Sequence, residues 1–192
     1  MQAAAFIVGA REGAGKMLFE LAETLGFPLV APFRSVEESE RQGAHFPLHF
    51  FLFAEVRDTR TLMGPVQDIR FSVRRKQRFS PLIYFSSNPS MESIRGCIAM
   101  GFDDVITRPF RAARVAPRLM RQVNTELVYY ETSSYFGPER RRHPDLRDFM
   151  PDRRVGGEFR RLEIVRRLKT GVDVLADDVR VAGPSPDEQI VL

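Results

Sequence analysis

One short segment of the chain carries residue types and spacing close to those of a phosphate-binding loop. Residues 10–17 read Ala-Arg-Glu-Gly-Ala-Gly-Lys-Met and follow directly after an apolar run. Backbone N–H groups of a glycine-rich turn can cradle phosphates, but a bound nucleotide also needs a Ser or Thr after the lysine to hold Mg²⁺. Met17 cannot supply that hydroxyl. A nucleotide-binding switch at Gly13–Lys16 therefore remains an alternative to the function that the rest of the chain favours.

A second segment could bind anions through arginine. The stretch Phe136-Gly-Pro-Glu-Arg-Arg141 recurs thirteen residues later as Phe149-Met-Pro-Asp-Arg-Arg154. Arginine pairs beside an acid suit bidentate contacts to carboxylates. The repeat therefore predicts an interaction arm, whose residues we take to be Phe136, Arg140, Arg141, Arg142, Phe149, Arg153 and Arg154.

The elements that must position these residues alternate along the chain. Apolar runs predict strands at 3–8, 27–33, 49–54, 81–85 and 104–106, and helical spacing predicts helices at 17–25, 36–42, 59–75, 90–100 and 111–127. The run His49–Ala54 is apolar at almost every position, as expected of a parallel strand that is buried on both faces. Five strands alternating with five helices predict an α/β fold with a doubly wound, five-stranded parallel sheet.

The junction Gly101–Phe110 makes the predicted fold more specific. It reads Gly-Phe-Asp-Asp-Val-Ile-Thr-Arg-Pro-Phe. It resembles the last βα junction of response-regulator receiver (CheY-like) domains, whose pattern is close to Gly-Ala-Asp-Asp-Tyr-Leu-Thr-Lys-Pro-Phe. The resemblance covers about residues 3–127 and implies the strand order 2-1-3-4-5 and a cis peptide bond between Arg108 and Pro109. It departs from the family at Arg108, where receivers have a lysine.

The resemblance also implies a chemistry against which this sequence can be compared. A receiver accepts phosphate from a histidine kinase on an aspartate at the end of its third strand. An acid pair after the first strand holds Mg²⁺, because this ion prefers oxygen ligands. A hydroxyl after the fourth strand and a lysine after the fifth hold the phosphoryl oxygens. These requirements define a pocket at one edge of the sheet.

Most of these positions are altered in this chain. The acid pair falls on Gly9 and Ala10, and the acceptor falls on Ala54 or Glu55. The switch position, where receivers carry Tyr or Phe, is Val105. We therefore interpret the pocket as degenerate and predict no phosphotransfer, no enzyme activity, no metal and no cofactor.

Two of the receiver's pocket positions are filled by residues that keep some of its chemistry. Ser86 matches the hydroxyl position and precedes Arg108 by the 22 residues usual in the family. Arg108 keeps the positive charge without the compact ammonium group. Glu55 has two interpretations: a built-in negative charge that pairs with Arg108 and mimics the phosphorylated state, or a solvated loop acid.

Beyond residue 127 the alternation stops, and the resemblance implies nothing. We predict a receiver-like domain at 1–127, a Pro/Gly/Arg-rich arm at 128–156, a short amphipathic helix at 157–170 and an acidic, flexible tail at 171–192. Residues 139–169 carry eleven basic and six acidic side chains, and residues 170–192 carry one and five. We expect Phe136 and Phe149 to pack on the domain body or on a second copy, with the arm's arginines facing a partner or binding acids such as Asp177 and Asp178.

Composition limits the partners and the compartment. The chain has one cysteine, no signal-peptide pattern and no apolar run near the length of a membrane span, so we expect a cytoplasmic protein without membrane contact. The resemblance implies a protein partner, either a histidine kinase or another signalling protein, and allows a homodimer through the fourth and fifth helices. We do not expect nucleic acid as a partner because no helix-turn-helix follows the domain.

Binding of another anion through the basic arm remains a further alternative. Arg140–Arg142 and Arg147 resemble the arginine motif of PilZ domains, which bind cyclic dinucleotides. The companion motif Asp-x-Ser-x-x-Gly is absent from the sequence. Nonspecific contact with the phosphates of a nucleic acid is a second form of the same alternative.

Overall fold

The computed structural model describes residues 2–9, 13–87, 89–139 and 158–181. The first sheet contains β1 (Ala4–Val8), β2 (Leu29–Pro32), β3 (His49–Phe53), β4 (Leu82–Ser86) and β5 (Asp104–Thr107). All its strands are parallel, in the order β2-β1-β3-β4-β5. This confirms the predicted fold class and strand order. The Arg108–Pro109 peptide bond is cis, as the resemblance implied.

Helices lie on both faces of this sheet. In the described part of the chain they are α1 (Ala14–Thr24), α2 (Val36–Gln42), α3 (Met63–Arg70), α4 (Arg75–Arg78), α5 (Met91–Met100) and α6 (Ala112–Met120). The hydroxyls of Ser35 and Ser90 cap α2 and α5 by accepting hydrogen bonds from backbone N–H groups three residues later. Gly101 ends α5 with a φ of 99°, a left-handed conformation that glycine adopts readily.

The predicted helix at 59–75 is divided in the structure. A 3₁₀ turn at Thr59–Leu62 leads into α3, and α4 is a separate single turn. None of the described helices has the length and apolar character that a bilayer crossing requires.

The apolar strands explain why the sheet is buried on both faces. Every residue of β1, β3 and β4 is buried. Alternate residues of β3 point into different clusters: Phe50 and Leu52 pack with α1 and α6, and Phe51 and Phe53 pack with α3 and α5. These two clusters form the core of the doubly wound fold.

A second sheet follows, and the sequence did not predict it. It contains β6 (Glu126–Glu131), β7 (Phe136–Pro138), β8 (Glu158–Arg167) and β9 (Gly171–Val181). The strands are antiparallel in the order β7-β6-β8-β9. The last predicted helix, at 111–127, therefore ends early, because Asn124 adopts a φ of 56° and its N–H bonds to the carbonyl of Arg166 at 2.8 Å.

The predicted helix at 157–170 was wrong, because this segment is strand β8. The spacing of Phe159, Leu162, Val165 and Leu168 suggested a helix. In the structure Leu162, Ile164 and Arg166 are buried on one face of the strand, and Val165 on the other face is buried as well. A charged residue at a buried position hid the two-residue period of the first face.

The predicted tail at 171–192 and arm at 128–156 also need correction. The tail begins as strand β9, and its residues 182–192 lie outside the described residues. The arm begins with strands β6 and β7, and its residues 140–156 also lie outside the described part.

The second sheet packs against the amino ends of the parallel strands. Phe79, just before β4, forms a small buried cluster with Tyr129, Phe136, Leu162 and Ile164. The expectation that Phe136 packs on the domain body is thus confirmed: its ring centroid lies 5.2 Å from that of Phe79. Phe149 lies outside the described residues.

Candidate functional site

The carboxyl edge of the parallel sheet holds most of the predicted pocket residues. Gly9 follows β1, Ala54 and Glu55 follow β3, Ser86 ends β4, and Arg108 follows β5. Carboxyl ends of parallel strands meet at one edge, which is where open α/β sheets place their ligands. Ala10 lies outside the described residues.

The predicted acid-pair position is closed at Gly9. This residue has a φ of 130°, and a Cβ added there would lie 2.8 Å from the Cβ of Ala54. Real Cβ atoms do not approach so closely, so a metal-binding side chain at Gly9 would require the backbone to move. Ala54 itself is buried, and its N–H donates to the carbonyl of Val8 at 2.8 Å.

Glu55 makes the most informative contacts at this edge. Its Oε1 atom accepts a hydrogen bond from Ser86 Oγ at 3.0 Å and another from the Ser87 N–H at 2.8 Å. The side chain is half-buried. Glu55 is therefore held by the end of β4, and the solvated-acid interpretation does not describe it.

The predicted pairing of Glu55 with Arg108 is not among the described ion pairs. Arg108 is exposed, and its Cζ atom lies 6.0 Å from the centroid of the Phe110 ring. Val105, at the switch position, is half-buried and packs against the cluster that contains Phe53 and Tyr84. Burial raises the pKa of Tyr84, whose hydroxyl accepts a long hydrogen bond of 3.5 Å from the Val56 N–H.

The nucleotide alternative finds little support in the described residues. Residues 10–12 lie outside them, and α1 begins at Ala14. Lys16 is exposed, and its Nζ atom lies 3.9 Å from Oε1 of Glu20 on the same helix. No group of three or more His, Cys, Asp or Glu side chains within the described ranges is arranged to hold a metal ion.

The predicted arm is described only in part. Arg140, Arg141, Arg142, Phe149, Arg153 and Arg154 lie outside the described residues. The acids expected to bind them have partners among the described residues: Asp177 pairs with Arg160, and Asp178 lies 3.6 Å from Arg180. Phe136 is buried beneath Arg78, whose Cζ atom is 4.2 Å from its ring centroid.

At the opposite, amino edge of the sheet lies a buried charge cluster that the sequence did not reveal. Asp103, just before β5, binds two arginines: Oδ2 is 2.6 Å from Arg70 Nη2, and Oδ1 is 2.8 Å from Arg166 Nη2. The Tyr129 hydroxyl donates a short hydrogen bond to Asp103 and accepts one from Arg166. The cluster joins α3 and β5 of the parallel sheet to β6 and β8 of the second.

The polar atoms of this cluster are well satisfied. Arg70 directs its other N–H groups to the carbonyl oxygens of Arg78, Ser80 and Gly101. Asp103 Oδ2 also accepts a hydrogen bond from the Leu82 N–H at 2.8 Å. Such saturation is what allows charges to be buried without a large desolvation penalty.

Electrostatics keeps the cluster ionised. Burial alone would raise the pKa of Asp103, but the charges of Arg166 and Arg70 and the Tyr129 hydrogen bond hold it below its usual value. Burial raises the pKa of Tyr129, and the nearby Asp103 carboxylate raises it further. Asp103 is therefore an anion and Tyr129 a neutral donor at neutral pH.

No family model matches the chain, and no curated protein matches it. The receiver domain of a sensor histidine kinase from Pseudomonas aeruginosa PAO1, with magnesium in its active-site cleft, is 18% identical over 62% of this chain and 96% of its own, with a TM-score of 0.44. A CheY-like protein, tadZ, from the same organism is 16% identical over 62% of this chain and 98% of its own, with a TM-score of 0.45.

A third solved structure, a response regulator in red-light signalling of R. palustris, is 12% identical over 64% of this chain and 95% of its own, with a TM-score of 0.41.

The class of fold is defined by the chain's own strand order. Helices on both faces of a sheet ordered 2-1-3-4-5 make the flavodoxin-like, CheY-like fold.

Proposed function

We propose that this chain is a phosphorylation-independent, receiver-like signalling protein of a two-component or phosphorelay system, acting through protein–protein interaction. The observation that carries the proposal is the contact of Glu55 with Ser86. In the receiver resemblance the hydroxyl at Ser86 holds a phosphoryl oxygen. Here it donates to a carboxylate of the chain itself at 3.0 Å.

The carboxylate at this place supplies a permanent charge where a receiver acquires one. Glu55 is the second of the two candidate acceptor positions, Ala54 and Glu55, and it accepts hydrogen bonds from both Ser86 and Ser87. A charge-assisted hydrogen bond is stronger than a neutral one, so the end of β4 is held in one arrangement. A state that a receiver visits on phosphorylation would then be built into the sequence.

Two described positions at the same edge support the absence of phosphotransfer. Gly9 has no room for a carboxylate side chain, and the methyl side chain of Ala54 has no oxygen to accept a phosphoryl group. Without an acid pair at Gly9 and Ala10 to hold Mg²⁺, the charge of an acceptor phosphate would not be neutralised. The proposal therefore includes no enzyme activity, no metal and no cofactor, and a cytoplasmic location beside a histidine kinase or another signalling protein.

The experiment is to incubate the protein with acetyl phosphate and Mg²⁺ and to measure its intact mass. We expect no acyl phosphate on the wild type or on Glu55→Gln, under conditions in which an active receiver domain is modified. A hydroxylamine-sensitive phosphate on the wild type that Glu55→Gln removes would overturn the proposal.

A second measurement addresses the interaction. A purified two-component protein captured from the source cell should bind the wild type equally well with and without acetyl phosphate. It should bind Ser86→Ala more weakly, because this change removes the hydroxyl that holds Glu55. Binding that appears only after acetyl phosphate treatment would contradict phosphorylation independence.

A further inference from the structure

The surface of α6 carries a row of arginines that the pocket does not explain. Residues 105–125 contain five arginines, no lysine and no acid. Four of the five are spaced by three, four and three residues, which places them on one face of a helix, about 15 Å from first to last. This α6 arginine stripe consists of Arg111, Arg114, Arg118 and Arg121.

Most of the stripe has no partner in the described structure. Arg111, Arg114 and Arg121 are exposed, and none of them belongs to an ion pair among the described residues. Arg118 is the exception: its Nε donates to Asp104 Oδ2 at 2.9 Å, and its Nη2 donates to the other carboxylate oxygen. The stripe thus already holds one carboxylate in a two-pronged contact.

The amino-terminal arginines of the stripe, Arg111 and Arg114, do not serve the stability of α6. Like charges three or four residues apart destabilise a helix, and cations are unfavourable at its amino end. The first turn of α6 contains no acid, and the side chain of Arg111 forms no capping hydrogen bond. Residues that weaken their own helix are more readily explained by a contact with another molecule.

We propose that the α6 arginine stripe docks an acidic segment of a partner protein, with carboxylates spaced about one helical turn apart. This rests on the proposed function, since it gives the chemistry of the signalling partner. Arg and Met are enriched at protein interfaces and Lys is depleted. Met120, next to the stripe, is 41% exposed, and Ala113 and Pro117 are exposed beside it.

Two observations narrow the choice of partner. The stripe has no aromatic side chain on which nucleotide bases could stack. A second copy of the chain offers few free acids in β9, because Asp173, Asp177 and Asp178 each lie near an arginine of their own sheet. A different protein with an acidic segment fits better than either.

The test measures binding of a fluorescein-labelled oligoglutamate peptide to the full chain by fluorescence anisotropy. The variant Arg111→Glu/Arg114→Glu/Arg121→Glu is compared with Arg41→Glu/Arg57→Glu/Arg75→Glu, which changes the net charge equally at other exposed sites. We expect the stripe variant to bind at least about tenfold more weakly and the control variant to bind within about twofold of the wild type.

The neutral variant Arg111→Gln/Arg114→Gln/Arg121→Gln should show an intermediate loss with an unchanged circular dichroism spectrum. An equal loss in the control variant would overturn the proposal by showing a net-charge effect. Tighter binding of duplex DNA or anionic vesicles than of oligoglutamate at the same salt would also overturn it. Formation of an acyl phosphate would contradict the proposed function but would leave these binding results unchanged.

Discussion

Arg166 Nη2 and Asp103 Oδ1 lie 2.8 Å apart in an ion pair that joins the two sheets, and their side chains are 0% and 2% exposed. Asp103 directly precedes β5 of the parallel sheet, and Arg166 lies in β8 of the antiparallel one. The second sheet is therefore fixed to the receiver-like domain by charge as well as by apolar packing around Phe79.

Removing the charge of Asp103 should destabilise the protein strongly. Asp103→Asn leaves Arg70 and Arg166 buried without a counter-ion, and breaking a buried pair costs about 3–5 kcal/mol of the free energy of unfolding. Urea unfolding should show this loss. The control Asp104→Asn breaks the partly exposed pair with Arg118 and should cost about 1 kcal/mol or less. Equal losses of unfolding free energy in the two variants would show that the buried cluster contributes no more to stability than the partly exposed pair.

Two glycines provide a matched pair for the contact between the sheets. A Cβ added at Gly101 would lie 2.5 Å from the Phe136 carbonyl oxygen, and the φ of this residue is 99°. Gly101→Ala should therefore lower the free energy of unfolding by about 1–3 kcal/mol. Gly64→Ala, in α3 with nothing within 4 Å, should raise it by about 0.5–1 kcal/mol. A neutral Gly101→Ala would mean that β7 does not pack as described.

His49 should make stability depend on pH. Its Nε2 atom lies 2.8 Å from the Gly43 carbonyl oxygen, which can only accept, so Nε2 carries the proton. Nδ1 then accepts from the Gln77 amide at 3.2 Å. A second proton, on Nδ1 of His49, would point at the Gln77 amide donor and lose this hydrogen bond. The charged groups that act on the ring are Glu40 and Lys76.

Burial lowers the pKa of His49 from its usual 6.5, so the unfolded chain binds this proton more readily than the folded chain. The free energy of unfolding should therefore fall as the pH decreases below about 6.5, by up to about 1.4 kcal/mol per unit. His49→Gln should remove this slope, whereas the exposed His45→Gln should keep it. The lowered pKa of Asp103 acts separately, with stability lost as the pH falls below about 4.

Cys97 should report unfolding. It is the single cysteine of the chain, it is buried, and burial raises the pKa of its thiol to about 12. Since the thiolate is the reactive form, iodoacetamide should not modify the native protein at neutral pH but should modify it in urea. Rapid alkylation of the folded chain would show that α5 opens readily.

The parallel sheet could be predicted because its signals are local. Phe50–Phe53 is an unbroken apolar run, Ser35 and Ser90 are helix caps, and the Gly101–Phe110 pattern resembles a receiver-domain junction. Each of these signals lies within a few neighbouring residues, so it can be recognised from the sequence alone. Glu55 could be placed near Ser86 from the same reasoning, but its contact with the Ser87 N–H depends on side-chain positions.

The second sheet could not be predicted because its core uses long-range polar contacts. Arg166 occupies a buried strand position, where pattern reasoning expects an apolar residue. Its partners, Asp103 and Tyr129, lie 63 and 37 positions away in sequence. Hairpin β8–β9 turns at residues 168–170, yet the helical spacing from Phe159 to Leu168 concealed it.

The five-residue strand β4 is hydrogen-bonded at both ends to carboxylates from other parts of the chain. At its beginning the Leu82 N–H donates to Asp103, and at its end Ser86 Oγ donates to Glu55. A central strand fastened in this way cannot slide along its length without breaking a charge-assisted hydrogen bond at each end. The edge of the parallel sheet that carries Glu55 and the edge that meets the added sheet are thus tied to a single strand only about 17 Å long.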